Sequence, residues 1–171
     1  MEKKLVQEMN AQITKEFYSA YLYLSMVAYF DKESLDGCSH WMKMQAQEEL
    51  IHGMKIFNYL SEIGTPITLG PIDKPNLKFS SVEDVFKKTL AHEKKVTASI
   101  NNLYDLAQKA KDSATVIFLQ WFVTEQIEEE KNPTDILAKL KHIGTQPAGI
   151  LILDKELATR PQPVVATTAS A

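Results

Sequence analysis

The sequence predicts an all-α fold, a four-helix bundle with a long crossover between the second and third helices and a short fifth helix at the C-terminus. Three observations carry this. Glycine and proline, which interrupt helices, are absent between Met1 and Asp36 and again between Asn76 and Asn132. Inside those spans apolar residues recur at steps of three and four, the amphipathic-helix period, and no stretch of useful length alternates as a strand would. The breakers gather instead between the two spans, where Gly64, Pro66, Gly70, Pro71 and Pro75 follow one another.

In order, Leu5, Met9, Ile13, Phe17, Ala20, Leu24, Val27 and Phe30 mark the buried stripe of the first helix. After the Asp36-Gly37 break, Trp41, Met44, Leu50, Ile56, Tyr59 and Ile63 mark the second. Residues 61–81 then form a connection too long for a compact domain unless it must travel. At about 3.3 Å per extended residue it reaches on the order of 50 Å, enough to run back along a helix of roughly 30 residues. Ser80-Ser81-Val82-Glu83-Asp84 is a helix start, with serine caps and acids in the first turn. Val82, Val85, Thr89, Val96, Ile100 and Leu103 form the third helix, Lys111-Asp112-Ser113 a polar turn, and Val116, Leu119, Phe122, Ile136 and Leu140 the fourth. Pro133 predicts a kink there, or a fresh helix start capped by Asn132. Gly144 and Pro147 end that helix, residues 148–158 form the short fifth one, and a Pro-, Thr- and Ala-rich flexible tail follows. The reading is one domain over residues 1–158 and a tail over 159–171.

Composition narrows the function. With 171 residues, 19 Lys and Arg against 22 Asp and Glu, and a net charge of −3, the chain is mildly acidic and a poor nucleic-acid partner. At 44% hydrophobic and 24% charged it buries an ordinary globular core. The N-terminus lacks the apolar stretch of a signal peptide and no segment has the length of a membrane span, so the expectation is a cytoplasmic protein without membrane contact. Cys38 is the one cysteine, which excludes an intrachain disulfide and thiolate metal clusters.

The informative residues are acids on faces that should be apolar. Glu16 falls on the stripe of Ile13 and Ala20, and Glu49 and His52 form a Glu-x-x-His pair whose spacing puts both on one helical face. Glu49 lies 33 residues after Glu16 and His52 lies 36 after it. Gln126 and Glu129 stand at the same separations, 33 and 36, from Glu93, and the second trio follows the first by 77 positions. Glu48 recurs likewise as Glu125. In a helical hairpin, positions 33 apart share a height when the turn lies midway, and Lys32–Gly37 and Lys109–Ser113 are midway. One hairpin plan is used twice.

Four carboxylates, Glu16, Glu49, Glu93 and Glu129, brought together inside a bundle would each lose several kcal/mol of hydration. Two divalent cations neutralise them, with His52 and Gln126 completing the set, and oxygen-rich ligation with one imidazole suits iron or manganese better than copper. Tyr23 lies two turns beyond Glu16 on the same face, as a core tyrosine or a neighbour of the metals. Trp121 reads as packing, and Glu125, Glu128 and Glu130 as a solvated acidic face. His92 neighbours Glu93 but points about 100° away from it, His40 and His142 have no matching acid at ligand spacing, and all three read as surface residues. An oxidase of an organic substrate and a metal-free structural bundle remain open on these residues alone.

At residues 15–24 (KEFYSAYLYL), 48–53 (EELIHG), 92–95 (HEKK) and 121–130 (WFVTEQIEEE) the chain closely resembles bacterial non-haem ferritin, over roughly residues 1–158. The resemblance implies an iron-storing, cytoplasmic ferroxidase that oxidises Fe(II) with dioxygen or hydrogen peroxide and keeps the ferric mineral in a hollow homo-oligomer of twenty-four subunits. It implies Glu16, Glu49 and His52 on one iron and Glu49, Glu93 and Glu129 on the other, with Gln126 on the oxygen-facing side and Tyr23 beside the centre. It also implies a third iron position using Glu48, Glu125, Glu128 and Glu129. No haem is expected, because Leu50 stands where a haem-binding relative has its methionine ligand.

Overall fold

The computed structural model describes residues 1–75, 78–144 and 146–164. Among these residues five helices follow in order: α1 (Lys3–Lys32), α2 (Asp36–Glu62), α3 (Val82–Lys109), α4 (Ser113–Ile143) and α5 (Pro147–Leu157). α1 packs on α2 and on α3, α3 on α4, and α5 lies against α2 and α4. Among the described residues there is no strand, and no helix is long and apolar enough to cross a membrane.

The duplication read from ligand spacing extends to the turns. α1 and α3 end, and α2 and α4 begin, 77 positions apart. Ser34 and Lys111, also 77 apart, both take left-handed backbone, with φ of 58° and 56°. Leu35 N–H donates to Phe30 C=O at 3.1 Å and its counterpart Asp112 to Ala107 at 3.0 Å, so each hairpin turns through the same bonds. Non-glycine residues at such φ cost about 1 kcal/mol, which the repeated turn bonds offset. The caps differ: Asp112 accepts from Thr115 N–H and Ser81 from Asp84 N–H, whereas Leu35 offers none.

The crossover travels as its length requires. Near its start Asn10 of α1 accepts from Thr68 N–H at 2.6 Å and donates to Pro66 C=O, and Thr14 accepts from Gly70 N–H. Near its end Phe79 packs on Tyr29. Asn10 to Tyr29 is about 28 Å of helix at 1.5 Å per residue.

Some sequence expectations change. Of the two expectations at Pro133, a kink or a restart, the restart at Asn132 fails, because α4 runs through Pro133 as one helix. Burial of Pro133, Ile136 and Leu140 outweighs the lost bond, and Thr134 donates its hydroxyl to Glu130 C=O beside the interruption. Leu24, Leu50 and Ile63 are exposed, because Tyr23, Glu49 and Leu60 take the inward positions. His92 and His40 are not surface residues. His92 is hydrogen-bonded to Ser19 at 2.7 Å and packed on Tyr18 and Tyr23, and burial, with Lys95 nearby, lowers its pKa to about 4. His40 donates to Arg160 C=O. Within the stretch assigned to the tail, Arg160 is held against α2, and residues 165–171 lie outside the described residues.

α5 docks at the start of α2, where Cys38 N–H donates to Asp154 at 2.7 Å and Leu153 and Leu157 are buried. Gly37 permits this approach. A Cβ there would lie 1.7 Å from Asp154 O and 2.5 Å from its carbonyl carbon, backbone atoms that cannot rotate away. Gly37→Ala is expected to displace α5 and cost roughly 2 kcal/mol, read as a fall of about 4–8 °C in Tm. An unchanged Tm with α5 in place refutes the packing argument.

Candidate metal centre

Two apolar clusters fill the bundle. One joins Tyr23, Phe30, Trp41 and Phe86 to α5, and the other joins Leu5, Ile13, Ile56, Ile100 and Phe122 toward the opposite end. Between them lies a polar layer contributed by all four long helices: Glu16 from α1, Glu49 and His52 from α2, Glu93 from α3, Gln126 and Glu129 from α4. Each is at most 5% exposed. The positions share a height because each hairpin turn lies midway between its two ligand positions.

The layer resolves into two groups. Donor atoms of Glu16, Glu49 and His52 all lie within 4.8 Å of one another, as do those of Glu49, Glu93 and Glu129, so Glu49 belongs to both. His52 Nδ1 stands 3.6 Å from Glu49 Oε2. Among the described residues no lysine or arginine pairs with any of the four acids. The hydrogen bonds leave one carboxylate oxygen unpaired in each group. Gln12 donates to Glu16 Oε1 at 2.8 Å and Tyr23 donates to Glu93 Oε1, yet Glu16 Oε2 and Glu93 Oε2 are buried without a partner. Native interiors seldom leave such atoms unsatisfied.

The titration of the layer has the same origin. Desolvation pushes the Glu49, Glu93 and Glu129 carboxyls up, and the neighbouring carboxylates push them further, Glu129 to about 8. Burial first, then the charge of Glu93, raises the Tyr23 phenol well above its usual value. Acids raised by one another's charge are acids that a cation would return to their ionised form. The donor set of four carboxylates and one imidazole, with one carboxylate common to two groups and an orphan oxygen in each, fits two divalent ions of the iron or manganese type.

The remaining candidates are distributed outside this pair. Glu125 and Glu129 come together with His52 in a third group within the same 4.8 Å limit. Glu128 is exposed, and Glu48 is ion-paired with Arg160. Gln126 is buried in the layer, with its amide oxygen 3.0 Å from the Thr97 hydroxyl of α3. Trp121 packs edge-on against His52 with ring centres 5.4 Å apart, and Lys55 covers its outer face. Sequence reasoning missed Gln12 and Gln45, which precede Glu16 and Glu49 by one helical turn; Gln45 donates to Glu129 at 2.6 Å and to Glu49 at 3.2 Å. Their own separation of 33 residues was the available signal.

A crossover four-helix bundle with Glu-x-x-His carboxylates at mid-height is the architecture of ferritin-like helical proteins. A ferritin-like domain profile matches residues 6–143. Over 160 residues the chain is 40% identical to the bacterial non-heme ferritin of Staphylococcus epidermidis, covering 94% of this chain and 96% of that one. It is 38% identical to that of Staphylococcus aureus over the same shares. It superposes on an open pore ferritin from the hyperthermophilic archaeon Archaeoglobus fulgidus with TM-score 0.92 and 45% identity, covering 94% of this chain and 99% of the other. On a humanized archaeal ferritin the TM-score is 0.94 at 46% identity, with 96% and 99% covered. The chain belongs to the ferritin family, among the bacterial non-haem ferritins.

Proposed function

We propose that this protein is an iron store with ferroxidase activity, taking up Fe(II), oxidising it with dioxygen or hydrogen peroxide, and holding the ferric mineral in a hollow homo-oligomeric shell. Family and fold support iron storage. The observation that carries the oxidation step is the pair of orphaned oxygens, Glu16 Oε2 and Glu93 Oε2, one in each of two buried groups that share Glu49.

Fe(II) is substrate here. Glu16, Glu49 and His52 hold one ion; Glu49, Glu93 and Glu129 hold the other. Two Fe(II) give one electron each and dioxygen accepts both. The side chains fix the separation through Glu49 and favour the higher charge of Fe(III), because their own charge is negative. Tyr23 and Gln12 each hold one carboxylate oxygen and leave its partner for the ion. The two apolar clusters exclude bulk water. Departure of ferric product follows the third group, since His52 and Glu129 are common to it and the buried pair while Glu125 is partly exposed. Gln126 stands at the margin of the pair, where the oxidant arrives, and Glu48 and Glu128 extend the acidic exit.

Mixing the apo-protein with Fe(II) in air tests the reading, run together with size chromatography. The expected results are ferric absorbance rising well above the buffer rate and elution near 460 kDa, about twenty-four chains of 19.3 kDa. An oxidation rate equal to buffer refutes the ferroxidase assignment. A monomer or dimer refutes the shell.

A further inference from the structure

Arg160 lies three residues past α5, yet its side chain is 15% exposed and reaches the metal centre's surroundings. The guanidinium stacks on Trp41 at 4.2 Å, donates to Trp41 C=O and, at 2.8 Å, to Gln45 Oε1, and pairs with Glu48. His40 holds the Arg160 carbonyl at 2.9 Å. We infer that Arg160 is a positioning residue of the metal centre: it turns the Gln45 amide toward Glu129 and Glu49 and keeps Glu48 away from the third acidic position. The inference rests on the two-metal reading above.

A guanidinium has donors and no acceptor, so the Gln45 oxygen must face it. The Gln45 NH2 then faces inward, where one hydrogen serves Glu129 Oε2 and the other Glu49 Oε1. An amide is ambiguous end for end by shape alone; here a fixed positive charge decides it. The consequence is that Glu129 Oε1 and Glu49 Oε2 are left for metal. A second relay of the same logic serves the other group. Lys15 donates to Ser99, Ser99 to Gln12 Oε1, and Gln12 Nε2 to Glu16 Oε1, which leaves Glu16 Oε2 free. In both relays a cation that can only donate sets a glutamine, and the glutamine selects the carboxylate oxygen. Arg160 has a further effect: it holds Glu48 by Oε2 and so turns that carboxylate toward the guanidinium, in competition with a metal cation.

Zinc, which does not change oxidation state, separates these roles when titrated by calorimetry into metal-free wild type, Arg160→Ala, Arg160→Lys and Gln45→Ala. In wild type two ions per chain bind tightly and a third weakly. Arg160→Ala weakens the first pair about tenfold, the scale of lost outer-sphere support, and tightens the third about tenfold as Glu48 is released. Gln45→Ala weakens the pair and does not tighten the third, because Glu48 stays on Arg160. Arg160→Lys keeps the charge on Glu48 and so the wild-type third site, while a single ammonium does not grip Gln45 and Glu48 as a fork, so the pair weakens. This variant and Gln45→Ala decide the matter if Arg160→Ala does not assemble. Affinities within twofold of wild type throughout overturn the inference, as does a parallel weakening of all three ions in Arg160→Ala. Fewer than two zinc ions per wild-type chain overturns the two-metal reading itself, and this inference with it, before any variant is compared.

Discussion

Replacing Glu49 and His52 together with alanine reduces rapid Fe(II) oxidation to the rate in buffer while the helices and the assembly persist. Glu49 is common to both buried groups, so its loss opens both at once, and His52 is the imidazole of the first. Stability moves much less than activity, because two effects oppose each other. Deleting the His52 ring removes packing against Trp121 and Phe122, a cost of a few kcal/mol by analogy with other buried truncations. Deleting Glu49 relieves a buried acid raised by desolvation and by Glu129 and Glu16, and removal of poorly compensated buried charge is often stabilising. Stopped-flow absorbance gives the rate and circular dichroism the helix content. Fast oxidation retained in a folded double variant rejects the site. Glu49→Gln, which keeps the shape, loses oxidation with less disturbance of packing.

Stability of the metal-free protein is expected to fall as pH rises, and divalent metal to reverse the slope. Glu129 has a folded-state pKa of about 8, and Glu49 and Glu93 are raised as well, against about 4.3 for an unfolded glutamate. Below the unfolded value both states hold the proton and the contribution to stability is complete. Between about 4.3 and 8 the native state binds more protons than the unfolded state, so stability falls with pH, and the share of the loss that belongs to Glu129 is complete above 8. His92 works the other way. Its folded value of about 4 lies below the unfolded value, so between about 4 and 6.5 it makes stability rise with pH. The clear window is therefore pH 6.5–8. Metal binds the ionised carboxylates and releases their protons, so with Mn(II) present Tm should climb through that same window. Scanning calorimetry with chelator and with Mn(II) checks both slopes. A chelated protein whose Tm rises from pH 6.5 to 8 would show that the acids are already ionised and balanced in the apo state.

Much of this was legible because helices convert sequence spacing into spatial direction. A step of three or four residues keeps a face and a midway turn keeps a height, so Glu16, Glu49, His52, Glu93, Gln126 and Glu129 could be brought to one layer before any coordinates. Turn conformations followed the same repeat, with Ser34 and Lys111 in equivalent left-handed positions. What escaped depends on contacts between segments that no periodicity links. His92 looked exposed beside Glu93, but Ser19, Tyr18 and Tyr23 of α1 enclose it. Pro133 read as a kink or a restart, and the burial of Ile136 and Leu140 carries the helix past it without a restart.

By itself the amino-acid order determined two duplicated helical hairpins, a crossover of the right length, and a layer of buried acids whose charge calls for metal. Only tertiary structure decided which oxygen of each acid is free. Gln12, Gln45 and Tyr23 claim one oxygen on each carboxylate they reach, and Arg160 returns from beyond α5 to set Gln45. Helical period determines the direction in which a side chain points. The partner it meets there, and the atom it gives up to that partner, are determined when separate segments pack together.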